Sequence, residues 1–250
     1  MRDIRLVMGM PAQLVVEDQG IQTCDLEHIF AGLTAADAQF SPFKPDSEIS
    51  RLNRGEIGWD TISPEMHDLL QLCELSRRQS RGYFDIRCRS GTIDLCGIAK
   101  GWAIARAARQ LGAMGFANFC VEIAGDMQCS GCNREGTPWR IGIRNPFALD
   151  EIVKIVRLSG CGVATSGNYL QKRHIYNPHA PDDPLDEIVS LTVIGPDIMA
   201  ADAFATAAFA MGRAGLEFIE SMPGLEGYEI DAVGMARMTG GLAQYLAPSA

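Results

Sequence analysis

Two oxygen-bearing side chains, four residues apart, stand in a run of small apolar residues. In Ala200-Ala201-Asp202-Ala203-Phe204-Ala205-Thr206-Ala207, the spacing puts the Asp202 carboxylate and the Thr206 hydroxyl on one face of a helix. Both are hard oxygen donors, the kind that suit Mg2+. An unpartnered aspartate among alanines would be costly to bury, so it calls for a cation or a donor. The same pattern also fits an aspartate capping a helix start and a threonine bonding back along the chain.

Thr92-Ile93-Asp94-Leu95-Cys96-Gly97-Ile98-Ala99-Lys100-Gly101 reads as a strand ending in an acid, a turn through Gly97, and a helix opening beside Lys100. Free amides at that helix start plus one ammonium would form a small anion site. The spacing of a Walker phosphate loop is absent. A plain strand–turn–helix with a surface lysine fits the segment as well.

Gly162-Val163-Ala164-Thr165-Ser166-Gly167-Asn168-Tyr169 runs from a strand into small polar residues, and His174-Ile175-Tyr176-Asn177-Pro178 follows. His174 is one of four histidines. It stands beside a turn able to hold phosphate oxygens, although a lone histidine also serves structure. In Phe40 to Asn53, Pro42 and Pro45 forbid a helix until Ser47, which caps Glu48 onward. Phe43, in that stiff loop, would either stack on a ring system or anchor the loop in the core. Cys129-Ser130-Gly131-Cys132 is a CxxC without a second pair, too little for zinc or an iron–sulfur cluster, and reads as structural.

The elements that must position these residues follow from local patterning. Residues 4–17 alternate loosely and predict one early strand. Residues 25–39 and 63–81 have helical spacing, the second opened by Ser63-Pro64-Glu65 and closed near Gly82. Strands are expected at 92–95, Phe119–Ile123, Trp139–Arg144, Ile188–Ile194 and Glu226–Asp231, and a hairpin from 152–158 and 161–165. Helices are expected at Ile98–Met114, Met199–Met211 and Glu217–Met222. Strands and helices mix without strict alternation, which predicts an α+β fold.

Composition bounds the rest. The chain has 250 residues, 47% hydrophobic, enough for one large domain over 1–250 or two coupled lobes. Its net charge of -9 repels phosphate backbones, so nucleic acid is not an expected partner. A dinucleotide would need a local cation, helix terminus or metal. No apolar run is long enough to span a membrane. The first residues lack a secretory h-region, and the scattered cysteines favour a reducing compartment, so the expectation is cytoplasmic. A leader removed beforehand would make it periplasmic.

Taken in order, the segments resemble the ApbE-like flavin transferases from Met8-Gly9 to about Asp231. The carriers are Met8-Gly9, the Ser41-Pro42-Phe43-Lys44-Pro45-Asp46-Ser47-Glu48-Ile49-Ser50-Arg51-Leu52-Asn53 block, Gly82-Tyr83-Phe84-Asp85, Asp94-Leu95-Cys96-Gly97-Ile98-Ala99-Lys100-Gly101, Gly125-Asp126, Ser166-Gly167-Asn168-Tyr169, His174-Ile175 and Ala201-Asp202 with Thr206.

The resemblance implies an ApbE-like fold with an FAD and Mg2+ site in a cleft between two intertwined lobes. It implies Mg2+-dependent transfer of the FMN half of FAD onto a Thr or Ser of an acceptor flavoprotein, releasing AMP. It places Met8, Phe43, Tyr83, Phe84, Asp85, Asp94, Lys100, Gly125 and Tyr176 around FAD. The main-chain oxygen near Gly97, with Asp202, Thr206 and Ala205, would hold Mg2+. His174 is the implied general base, with Asp126 as the other candidate and Lys100 as fixed positive charge.

Departures include Ala124 before Gly125-Asp126, Cys96 for a usual Gly or Ser, Phe43 for a frequent Tyr, Met10 for a usual Thr, and Asn177-Pro178-His179-Ala180 after His174. The alternatives are FAD hydrolysis to FMN and AMP, a non-catalytic flavin carrier, and a metal or redox module on Cys129 and Cys132.

Overall fold

The computed structural model describes residues 1–168 and 175–246. Its backbone is an eight-stranded antiparallel sheet in the order β1-β2-β3-β4-β7-β8-β9-β10, with a separate hairpin β5-β6. The strands are β1 (Arg2–Val7), β2 (Met10–Val16), β3 (Phe119–Ile123), β4 (Asp126–Ser130), β5 (Trp139–Asn145), β6 (Ala148–Leu158), β7 (Cys161–Gly167), β8 (Ile188–Gly195), β9 (Glu226–Asp231) and β10 (Ala236–Met238). The α-helices are α1 (Thr23–Phe40), α2 (Glu48–Asn53), α3 (Pro64–Gln79), α4 (Ala99–Ala113), α5 (Ile198–Ala210) and α6 (Gly215–Ser221). The mixture is α+β, as the patterning predicts.

Burial divides the sheet into two faces. Val121 and Ile123 of β3 join the core built with α1, α4 and α5, while Cys120 points to a second cluster. That second cluster packs Met127, Cys129 and Val163 against Trp139, Ile143, Val156 and Leu158 of the β5-β6 hairpin. Helices therefore cover one face and the hairpin covers the other. β8 is buried nearly throughout, consistent with its almost unbroken apolar run. Among the described residues no helix is long and apolar enough to cross a membrane.

Three expectations need correction. Residues 92–95 are not a strand: Ile93 makes only an isolated bridge with Arg87. Residues 4–17 are not one strand: β1 and β2 form a hairpin whose two turn residues, Met8 (φ 54) and Gly9 (φ 71), are both left-handed. Residues 152–158 and 161–165 do not pair either. β6 folds back on β5, while β7 crosses to the main sheet between β4 and β8. The turn at Ser159-Gly160 is a transfer between sheets, because β7 carries small residues that fit under α5 and β6 does not.

A second left-handed pair, Ala124 (φ 51) and Gly125 (φ 95), joins β3 to β4. The antiparallel registers place the Met8-Gly9 turn, the Ala124-Gly125 turn and the Ser166-Gly167 end of β7 at the same end of the sheet.

Candidate functional site

The candidate site is built at that sheet end, where α4 begins and α5 passes. Asp197, not Asp202, caps α5: its side chain accepts the Met199 amide at 2.7 Å. Asp202 lies inside the helix, 5% exposed, and its Oδ2 accepts the Gly101 amide at 2.8 Å. Among the described residues Oδ1 accepts no hydrogen bond, and the Thr206 hydroxyl makes none back to its own helix. The capping and back-bonding alternative is thereby removed. Among the described residues, two hard oxygens without partners remain on one helix face.

Gly97 and Gly101 set how closely these elements approach. A Cβ at Gly101 would meet the Asp202 Cβ at 2.9 Å and the Ile198 carbonyl at 3.1 Å. A Cβ at Gly97 would lie 3.3 Å from both the Thr206 methyl and the Phe84 ring. The loop before α4 is thus laid directly against the Asp202–Thr206 face.

Lys100 completes the cluster. Its Nζ is 2.7 Å from Asp126 Oδ2, and Asp126 Oδ1 accepts the Thr165 amide at 3.0 Å. Asp126 is 2% exposed, so this is a buried ion pair. Burial alone would lower the lysine pKa, but Asp126 and Asp202 outweigh it and hold the ammonium above its ordinary range. Burial pushes the Asp202 carboxyl up to about 7, against the pull of Lys100 and the Gly101 amide and with Asp126 adding to the rise. With all three ionised, the trio carries one positive and two negative charges.

The α4 start carries acceptors as well as the donors the sequence suggested. The Ala99 amide is taken by the Leu95 carbonyl, the Gly101 amide by Asp202, and the ammonium by Asp126. A locally negative cluster with unfilled oxygens suits a cation. The residues therefore fit Mg2+ through Asp202, Thr206 and a carbonyl near Gly97. Among the described residues no three His, Cys, Asp or Glu side chains converge on a metal-sized point, so a site here depends on mixed oxygens. Ala205 is fully buried in mid-helix, between the Asp202 and Thr206 positions.

The remaining expected residues divide into a connected group and outliers. The Asp94 amide donates to the Ile86 carbonyl, and its Oδ1 accepts the Cys96 amide at 2.8 Å. Asp85 Oδ1 likewise accepts the Arg87 amide at 2.9 Å. Tyr176 reaches the Arg87 carbonyl with its hydroxyl, and Tyr83 is partly buried on the same side. Phe84 is 2% exposed and packs beneath Gly97, so it supports the wall rather than facing outward. Met8 and Gly125 sit in the two left-handed turns.

Phe43 is 85% exposed, which removes the core-anchor alternative. His174 lies outside the described residues. An open groove of about 660 Å3 is lined by Gln39, Asp46, Glu48, Arg51 and neighbours, and contains none of the expected site residues. Cys129 is fully buried with its sulfur 3.4 Å from Cys120, across the strands, so the CxxC spacing does not define the contact.

Sequence reasoning did not assign Asn53 or Thr165. Asn53 spans the Ile93 backbone, donating to its carbonyl and accepting its amide, each at 2.8 Å, and so ties α2 to the segment before Lys100. It is the last residue of the 41–53 motif block, and that placement was the available signal. Thr165 acts through its amide, which no residue type reveals.

The ApbE family model matches residues 8–92 and 87–228, and the chain belongs to the ApbE family. A Vibrio cholerae FAD:protein FMN transferase is 35% identical over 131 residues, covering 48% of this chain and 39% of that protein. The Escherichia coli K12 protein of the same name is 30% identical over 151 residues, covering 57% of this chain and 43% of that protein. The matched stretches thus span less than half of those relatives. Among solved structures, the flavin transferase ApbE from Vibrio cholerae superposes with a TM-score of 0.86 at 23% identity, over 98% of this chain and 99% of that one. The Thermotoga maritima ApbE protein gives 0.87 at 22%, over 99% of each chain. At those identities the likeness establishes the fold.

Proposed function

We propose that this chain is an FAD:protein FMN transferase that works with Mg2+. The observation that carries the reading is the free-oxygen face of Asp202 and Thr206 beside the buried Lys100–Asp126 pair. The names of the curated relatives support the reaction class.

In this reading the acceptor Thr or Ser oxygen attacks the phosphorus of the FMN half. The bond from that phosphorus to the bridging oxygen breaks, AMP leaves with that oxygen, and the hydroxyl proton passes to a base. Asp202, Thr206 and a carbonyl near Gly97 would hold the ion. Mg2+, when bound, neutralises charge on the two phosphates. Lys100 adds a fixed positive charge, preorganised because Asp126 cannot release it without being left buried and unpaired. Asp126 Oδ1 accepts the Thr165 amide and Oδ2 faces the Lys100 ammonium, so the geometry suits it to holding Lys100; the base role is the one the resemblance gives to His174.

The test is incubation with FAD, Mg2+ and a flavoprotein carrying a Thr or Ser flavinylation site. Flavin that stays on the acceptor after denaturation, with one AMP released per flavin bound, supports the transferase. Rapid AMP and free FMN without acceptor would make it a hydrolase. Intact FAD with acceptor present would make it a carrier.

A further inference from the structure

We infer that His179 is a positioning residue that fixes Tyr83 on the flavin-facing wall, a role that rests on the flavin reading above. His179 belongs to the stretch in which this chain departs from the usual motif. Asn177 starts a tight turn there: its Oδ1 accepts the His179 amide at 2.9 Å, and its carbonyl accepts the Ala180 amide at 3.1 Å. The turn carries the imidazole across to a segment almost a hundred residues earlier. Its Nε2 lies 3.0 Å from the Arg81 carbonyl oxygen. Its ring meets Tyr83 edge-on, centroids 4.6 Å apart at 67°.

The receiving turn is shaped for this ring. Arg81 (φ 56) and Gly82 (φ 86) are both left-handed and close α3, with the Gly82 amide on the Arg77 carbonyl at 2.7 Å. A Cβ at Gly82 would come within 3.3 Å of His179 Cε1, so a side chain there would crowd the imidazole. On the other side Phe84 is locked, its amide on Ser80 Oγ at 2.9 Å and its ring in the core. Tyr83 therefore has one neighbour fixed by the core, and its own ring is fixed by His179. The Arg89–Asp182 fork at 2.8 and 3.0 Å holds the same loop from outside, but both side chains are well exposed and add little.

His179 is itself exposed, so its contacts order a wall more than they stabilise the fold. A Tyr83 free to turn must be ordered when a ligand docks, and that cost appears as lost affinity. The experiment is FAD titration by flavin fluorescence in chelator, without turnover. His179→Ala should weaken FAD binding about tenfold, while Tm moves by less than about 3 °C. His179→Phe, which keeps a ring against Tyr83, should recover to within about threefold of wild type, and His179→Gln should not.

In a Tyr83→Ala background, His179→Ala should have no further effect, because the two act as one unit. Unchanged affinity in His179→Ala, or fully additive losses in the double variant, would overturn the role of His179. Wild-type protein that binds no FAD with Mg2+ present either would remove the flavin reading and this one with it.

Discussion

Replacing Lys100 with methionine removes the one positive charge from a buried trio and keeps most of the side-chain volume. Asp126 would retain the Thr165 amide and Asp202 the Gly101 amide, but neither would retain a counter-charge. Breaking a buried pair costs about 3–5 kcal/mol. The Lys100 side chain is 21% exposed, so water reaches the pair and the expected loss is about 2–3 kcal/mol. For a chain of this length that lowers Tm by roughly 4–12 °C.

The sign of the pH dependence follows from linkage. Asp202 already titrates near 7 when folded, against 3.8 for an ordinary aspartate, and losing Lys100 raises it further. A carboxyl with a raised folded pKa binds more protons folded than unfolded, so stability falls as pH rises through that window. The Lys100→Met loss should therefore be largest at pH 8 and shrink towards pH 5. Adding Asp126→Asn should return part of it. Thermal or urea denaturation in chelator at the two pH values measures this. A loss under about 0.5 kcal/mol at pH 8, or equal losses at both, would refute the buried-trio argument.

Three further outcomes are expected. Mg2+ should raise Tm more at pH 8 than at pH 6, because a cation binds the carboxylate and burial holds Asp202 near 7; Asp202→Asn and Thr206→Val should each remove most of that shift in a melt. Phe43→Ala should leave stability within about 0.5 kcal/mol yet weaken FAD binding severalfold in a fluorescence titration, and unchanged affinity would take Phe43 off the flavin wall. Ala124→Gly should raise stability by about 1 kcal/mol in urea, since Ala124 is held at φ 51 where only glycine is unstrained.

The parts of the site legible in the sequence were those encoded locally. Asp202 and Thr206 share a face because helical spacing says so, and Ser47 and Ser63 cap their helices as their motifs predict. What was hidden depends on distant pairing. Asp126 reaches Lys100 from a neighbouring strand, and no spacing between residues 100 and 126 announces that contact. The same contact brings a carboxylate to the α4 start, where the local spacing suggested positive charge alone.

The two hairpin turns were hidden for another reason. A two-residue turn with both residues left-handed is normally signalled by Asn-Gly or Asp-Gly. Here Met8-Gly9 and Ala124-Gly125 hold that conformation with residues that carry no such signal. One early strand was therefore expected where there are two, and β4 was not foreseen. Both turns lie at the site end of the sheet, where strained backbone is most often retained.

The most direct test is anomalous diffraction from crystals soaked with FAD and Mn2+ as a stand-in for Mg2+. The account predicts a single strong peak within coordination distance of Asp202 Oδ1 and Thr206 Oγ1, with the diphosphate of FAD against it and the flavin towards Tyr83. A metal peak or a bound FAD away from the α4–α5 junction would contradict it.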